Sequence, residues 1–319
     1  MKLHLLLPAL FLAFAACQSS HPTQTTWLIQ PPAGEQYCRI DPAGATIIPN
    51  GRIVQPMGRT VRIAPHPFGL ALSPDGSVAV TANSGNRPFS ITILENPASG
   101  NPRVRQVPEG VMNDKNLLED VFMGLAVTPD NRSVWVAGGQ SNKLFRFDLK
   151  TGAKLDSILC ATADNPDGYL GDLALTRDGN TLYACDQSNF RLVVADTRTR
   201  KVTHYVPVGR YPFGVTLSPD EKTAYVANVG MFEFSYMRDE AGNLAKLDFP
   251  PYGVPSEEAE KGVTIDGVIA PPLGDPNDIR AMSVWTVDIT NPAAATIVNR
   301  HKTGHLVGEQ LEDFPAVGG

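Results

Sequence analysis

The sequence predicts an all-β fold, a β-propeller of four-stranded antiparallel blades, on three observations. One stretch occurs four times. Pro212-Phe213-Gly214-Val215-Thr216-Leu217-Ser218-Pro219-Asp220, leading to Tyr225-Val226-Ala227-Asn228, returns upstream from Pro67, Phe122 and Leu170, each copy reaching a Ser/Thr-x-Asp turn. The turn aspartates Asp75, Asp130, Asp178 and Asp220 stand 55, 48 and 42 residues apart, a period that marks propeller blades when the content is strand-like. The composition agrees: 28 glycines and 27 prolines in 319 residues favour many short strands and turns over long helices.

Each copy has one grammar. An apolar run meets the turn, and a second run with β-branched residues, and in three copies Tyr or Trp, follows, which reads as two antiparallel strands joined by a hairpin. Proline presets φ, the aspartate bonds backbone two residues on, and glycine or asparagine accepts positive φ. A turn role, rather than a catalytic one, is therefore expected of the four aspartates.

The chain opens with Met1-Lys2-Leu3-His4 and an apolar run from Leu5 to Ala16, too short to span a bilayer, which reads as a signal peptide over residues 1–17. Phe14-Ala15-Ala16-Cys17 resembles the lipobox of bacterial lipoproteins, which implies lipidation of Cys17 and membrane attachment, with Gln18 favouring the outer membrane. Ordinary cleavage near Ala13-Phe14-Ala15 is the alternative. An extracytoplasmic, periplasmic or outer-membrane location follows from either. Residues 18–36, with Ser19, Ser20, Pro22 and Pro31-Pro32, have the composition of a tether, and residues 37–319 the pattern of a propeller. Cys38, Cys160 and Cys185 show no metal-type spacing; Cys185 replaces a strand alanine and is expected to be a buried thiol.

Ala45 to Ile48 and Arg52 to Val54 flank Pro49-Asn50-Gly51, a hairpin signal. Thr60 to Ala64 is expected as an outer strand that closes the ring. Complete blades follow over about 65–110, 122–160, 170–209 and 212–303, with third strands at Phe89 to Leu94, Lys143 to Asp148, Arg191 to Asp196 and Val284 to Asp288. The last blade is interrupted by an insertion, residues 230–282, rich in aromatics and proline, which suits a lid, a docking surface or a cover over its own blade. Trp135 and Trp285 are expected between blades.

Tyr225-Val226-Ala227-Asn228 and its sister copies resemble the YVTN-type bacterial β-propellers over about residues 60–319. That resemblance implies a ring of about seven blades. Four blades fall short of it, so a C-terminally truncated chain is expected, with an open or self-associating assembly as the alternative. The order of Pro49-Asn50-Gly51-Arg52, the four repeats, the insertion and Ser283-Val284-Trp285 further resembles the propeller half of proteins that fuse such a ring to an alkaline-phosphatase-like phosphoesterase domain.

A net charge of -6 and a pI near 5.5, with no basic stripe, exclude nucleic acid as the main partner. The long connections, residues 108–121, 161–169, 230–282 and 302–314, all fall on one face, so a protein partner or small ligand is expected there, near the axis. His66, Asn83, Asp172, Asp186, Asn228 and Glu309 are its candidate ligand-binding residues. Asn, Asp and His converging on an axis could bind calcium, as in lactonase-type propellers, and polarise a carbonyl. The alternative is that Asn83 and Asn228 satisfy backbone between strands. No metal-binding residue is assigned. His301 and His305 follow a strand-like run, which argues against a zinc pair. No nucleophile elbow, haem motif or phosphate loop is present. A binding or scaffold module without its own catalytic site is expected; a phosphoesterase fusion and a calcium-dependent lactonase-like hydrolase are the alternatives.

Overall fold

The computed structural model describes residues 30–41, 44–84, 89–109, 117–233, 236–247 and 256–304. Residues 1–29, with the expected leader and Cys17, and residues 305–319, with Glu309, lie outside the described residues. The chain forms two compact units, residues 1–62 and 63–319. In the first, β1 (Thr46–Ile47) pairs antiparallel with β2 (Ile53–Val54) across the expected Pro49-Asn50-Gly51 turn, where Gly51 takes φ 73°.

The second unit contains four successive four-stranded antiparallel sheets. Blade one is β3 (Pro67–Leu72), β4 (Val78–Asn83), β5 (Ser90–Glu95) and β6 (Arg103–Val107). Blade two is β7 (Leu125–Val127), β8 (Ser133–Ala137), β9 (Lys143–Asp148) and β10 (Lys154–Leu159). Blade three is β11 (Leu170–Leu175), β12 (Thr181–Asp186), β13 (Arg191–Asp196) and β14 (Lys201–Pro207). Blade four begins with β15 (Pro212–Leu217) and β16 (Thr223–Asn228). The insertion then builds its own sheet from β17 (Tyr236–Asp239), β18 (Leu244–Leu247), β19 (Val263–Ile265) and β20 (Val268–Ala270), with the short helix α1 (Glu257–Lys261). Blade four resumes as β21 (Ser283–Asp288) and β22 (Thr296–Lys302).

One expectation is corrected. Residues 60–64 form no strand; the Ala64 N–H instead reaches the Thr92 hydroxyl at 3.5 Å. A strand needs a neighbouring ladder to satisfy its backbone, and none lies beside this segment among the described residues.

The turns carry the predicted chemistry. Ser73, Thr128, Thr176 and Ser218 each donate a hydroxyl to the aspartate two residues on, at 2.7, 2.6, 2.6 and 2.6 Å. Gly76, Asn131, Gly179 and Glu221 take the positive φ that each turn requires. Hydrogen bonds hold all four carboxyls below the usual range, led by the Ser77 N–H for Asp75 and by the Thr128, Thr176 and Ser218 hydroxyls for the others.

Alternation along each strand sends one set of side chains to the preceding blade and the other to the next. Val80 and Ile91 pack with Val134 and Phe145; Trp135 and Leu144 with Leu173 and Leu182; Tyr183 and Leu192 with Val215 and Val226. Trp135, Trp285 and Cys185 are buried as expected.

The insertion is tied down by a cation that the sequence did not advertise. Arg210, fully buried between blades three and four, donates to the carbonyls of Met231 and Asp275 and pairs with Glu233 at 2.8 Å. Arg280 meets the same carboxylate and pairs with Asp278 at 2.8 Å. The Arg280 side-chain hydrogen bond draws the Asp278 carboxyl down to about 2.

Candidate functional site

Where the inner strands converge, the repeat requires glycine. A methyl group on Gly69 would run into the Met123 carbonyl, and one on Gly124 would lie 2.8 Å from the Gly171 oxygen and the Leu173 nitrogen. Blades two and three are joined there directly, Gly124 N–H to Gly171 C=O at 2.9 Å. In the third copy aspartate replaces this glycine. Asp172 accepts the Val215 N–H of the next blade at 3.0 Å.

Burial raises the Asp172 carboxyl above its ordinary value, against hydrogen bonds from Val215 and Leu173. A raised folded value means that the fold favours the protonated form. Its contribution to stability is complete below the unfolded value of about 4 and is lost as pH rises through the folded value. Asp172→Asn keeps an acceptor for Val215 without the charge. It should therefore raise the melting temperature at neutral pH more than at about pH 4, whereas Asp172→Ala, which orphans the Val215 N–H, should cost about 1–3 kcal/mol.

At the end of these strands four aromatic side chains meet. Phe122 stands 5.6 Å from Phe68, 5.4 Å from Tyr169 edge-on and 6.0 Å from Phe213 edge-on, distances that suit aromatic pairs. One ring in contact with rings that open blades one, three and four places the group where the inner strands converge. Phe68 is 62% exposed. Beside it lies a cavity of about 330 Å³ walled by Phe68, Phe89, Phe122 and Tyr169, with Ser84, Asp120 and Gln140 as its polar members. The buried Asp120 accepts the N–H groups of Val121 at 2.8 Å and Gln140 at 2.6 Å, which fixes the loop carrying Phe122. Burial, with Asp120 and Tyr211 nearby, pushes the Tyr169 hydroxyl up to about 12, so it remains a donor at neutral pH. Gln187, whose N–H bonds to the Tyr169 carbonyl at 2.8 Å, is fully buried against Gly171, and its amide meets no protein partner among the described residues. The site can stack an apolar or flat ring and orient it through a few hydrogen bonds.

The sequence-chosen residues occupy the same end of the blades but are turned to other work. Asn83, Asp186 and Asn228 hold one position of the repeat, each closing the second strand of its own blade. Asn83 donates to the hydroxyls of Ser90 and Thr92 at 3.2 and 3.0 Å. Asn228 donates to the carbonyls of Val226 and Ser283, both at 3.3 Å. Asp186, wholly buried, pairs with Arg191 at 2.8 Å and also accepts from Asn189 and the Tyr169 N–H. Arg191 in turn donates to the Cys160 carbonyl and lies 4.2 Å over the Tyr205 ring. His66 is exposed, and its carbonyl accepts the Ser84 N–H at 2.9 Å. Calcium binding prefers several uncommitted anionic oxygens. The Asp186 carboxylate is already neutralised by a guanidinium, so this set does not fit that ion, and no step is derived through it.

The aromatic mouth was the part that sequence reading missed. Its signal was the phenylalanine at one repeat position in Phe68 and Phe213; Phe122 and Tyr169 come from outside that register.

No family model matches the chain, and no curated protein matches it. Among solved structures it is similar to the periplasmic gluconolactonase of Pseudomonas aeruginosa, 13% identical over 82% of this chain and 63% of that one, with a TM-score of 0.50. It is also similar to the hydrazine synthase of Kuenenia stuttgartiensis, 18% identical over 78% of this chain and 52% of that one, TM-score 0.46. A protein from Lactobacillus plantarum is 20% identical over 64% and 63%, TM-score 0.42. This chain thus spans about half to three fifths of the length of these structures. At such identities the likeness is one of fold, and with the four blades it makes this chain a β-propeller of four-stranded antiparallel blades.

Proposed function

We propose that this chain is a YVTN-type propeller that binds a small ligand or a protein segment at its aromatic mouth without transforming it, exported and held at the membrane through lipidated Cys17. The observation that carries this reading is the meeting of Phe68, Phe122, Tyr169 and Phe213 beside a cavity with few polar members. Aromatic walls offer large contact area at low conformational cost, and convergent polar groups set orientation. The repeat around Tyr225-Val226-Ala227-Asn228 supports the YVTN assignment, and the apolar leader supports export. The order of repeats and insertion supports a place as the recognition half of a phosphoesterase fusion, in which hydrolysis belongs to the other domain. Against a calcium-dependent lactonase stands the ion pair that occupies Asp186.

Melting shifts across a panel of sugars, aldonolactones, aromatic acids and short peptides test the proposal. At least one class should raise the melting temperature by several degrees when present at about a hundred times its dissociation constant. Phe68→Ala, at a ring already exposed, should remove that shift and leave the free protein's melting temperature nearly unchanged. A panel without any shift, or a shift that survives Phe68→Ala, would contradict it.

A further inference from the structure

The repeat lets one corner of the aromatic mouth be compared blade by blade. By strand register Phe68, Gly171 and Phe213 hold one position, second in the first strand of blades one, three and four. Ser84, Gln187 and Val229 hold another. Each follows the second strand of its blade and donates its N–H to the residue just before the first strand, the carbonyls of His66, Tyr169 and Tyr211 at 2.9, 2.8 and 3.1 Å. Blades one and four carry phenylalanine at the first position and serine or valine at the second. Blade three reverses the sizes, with glycine at the first and glutamine at the second.

The glycine makes room for the glutamine. A methyl group on Gly171 would run into the Gln187 amide nitrogen and lie 2.8 Å from the amide carbon, so the amide takes up the space into which Phe68 and Phe213 send their rings in their own blades. Both of those rings touch Phe122, and Ser84, the counterpart of Gln187, walls the cavity of about 330 Å³. Gln187 therefore faces the mouth. It is fully buried, and neither its oxygen nor its NH2 group meets a partner among the described residues. Leucine or methionine would fill the same gap without the free-energy cost of burying an unpaired donor and acceptor. A donor and an acceptor side by side, uncommitted and next to aromatic rings, suit a complementary pair on a ligand.

Resting on the reading of the mouth as a binding site, we propose that its ligand is a flat heterocycle carrying an N–H and a C=O side by side on one edge, as in a cyclic amide or a pyrimidine base. The ring stacks on the phenylalanines, and its edge exchanges two hydrogen bonds with the Gln187 amide, the kind of pairing by which glutamine reads a base edge. A carboxylate would meet the amide NH2 but set its charge against the amide oxygen. Gln187 is closed off from solvent in the free protein, so the ligand enters as a ring of the mouth turns aside, a rotamer change that exposed side chains make within nanoseconds.

Calorimetric titration with uracil, hypoxanthine and α-pyridone, each beside its fully N-methylated counterpart, tests this. Methylation keeps the flat ring and the carbonyl but removes the donor. At least one parent compound should bind wild type about ten- to a hundredfold more tightly than its counterpart, the cost of leaving the buried amide half paired. Gln187→Met should bind both members of that pair alike and melt no lower than wild type, because the amide it loses meets no partner among the described residues. Phe68→Ala should weaken both members together. Binding of none of the three parents, equal binding of both members by wild type, or a preference that survives Gln187→Met would overturn the proposal. So would a marked fall in the melting temperature of Gln187→Met, which would assign the amide to holding the fold. If sugars, lactones or peptides still bind in a way that needs Phe68, the mouth stands as a binding site and only this ligand class falls; if nothing binds, the reading of the mouth falls with it.

Discussion

Asp186→Ala should lower stability by about 3–5 kcal/mol, the cost of breaking a buried ion pair and leaving one charge uncompensated. The carboxylate is wholly buried and bonded to Arg191 at 2.8 Å, and Arg191 is itself nearly inaccessible. Removal of the acid leaves the guanidinium, among the described residues, with the Cys160 carbonyl and the Tyr205 ring. At about 2–4 °C per kcal/mol for a domain of this size, the melting temperature should fall by roughly 6–20 °C. The double variant Asp186→Ala with Arg191→Leu should recover much of the loss, because it removes the orphaned charge and returns apolar bulk. Were Asp186 instead a ligand-binding group, the single variant would keep its melting temperature and lose only binding. Calorimetry on the three proteins separates the two roles.

Gly69→Ala should cost about 3 kcal/mol, at the upper end of the overpacking range. The obstacle is backbone, the Met123 carbonyl of the adjoining blade, and it cannot swing away as a long side chain would. The same change at Gly124 meets the Gly171 oxygen and Leu173 nitrogen at 2.8 Å, and should cost less. At Gly214 the nearest atom is the Asp172 carboxylate oxygen at 3.7 Å, an ordinary contact. There the smaller conformational freedom of alanine in the unfolded chain should leave stability unchanged or raised by about 0.4–1 kcal/mol. Urea unfolding of the three variants checks the order Gly69, Gly124, Gly214 from most to least damaging. An equal cost at all three would show that these glycines serve strand flexibility rather than the approach of neighbouring inner strands.

The blades were legible because three local signals agree in each copy. Alternating apolar residues, Ser/Thr-x-Asp turns and a second strand of β-branched and small residues, with an aromatic in three of the four copies, all point to the same hairpin. Cys185, Trp135 and Trp285 were placed correctly by repeat position alone. Thr60 to Ala64 misled, since β-branched residues in alternation read as a strand whether or not a partner edge exists. The sheet of the insertion was missed because its strands are only three or four residues long, although Asp266-Gly267 between β19 and β20 is itself a hairpin signal. Arg210 was hidden because a lone arginine between Gly209 and Tyr211 reads as surface; only the folded insertion brings the Met231 and Asp275 carbonyls and Glu233 to it. The candidate site was half legible. Long loops pointed to one face, but side-chain chemistry directed attention there to Asn83, Asp186 and Asn228, whose hydrogen bonds lie within their own blades. The rings that converge instead come from four copies at unequal register, and convergence of that kind arises only when the blades stack.

One measurement bears most directly on a mouth that binds without turnover. The compound giving the largest melting shift would be incubated with the protein and followed by NMR. Saturation transfer from protein to ligand that Phe68→Ala abolishes, with the ligand recovered unchanged, is the predicted result. Conversion of the ligand at a rate proportional to protein concentration, whether or not a chelator is added, would contradict it.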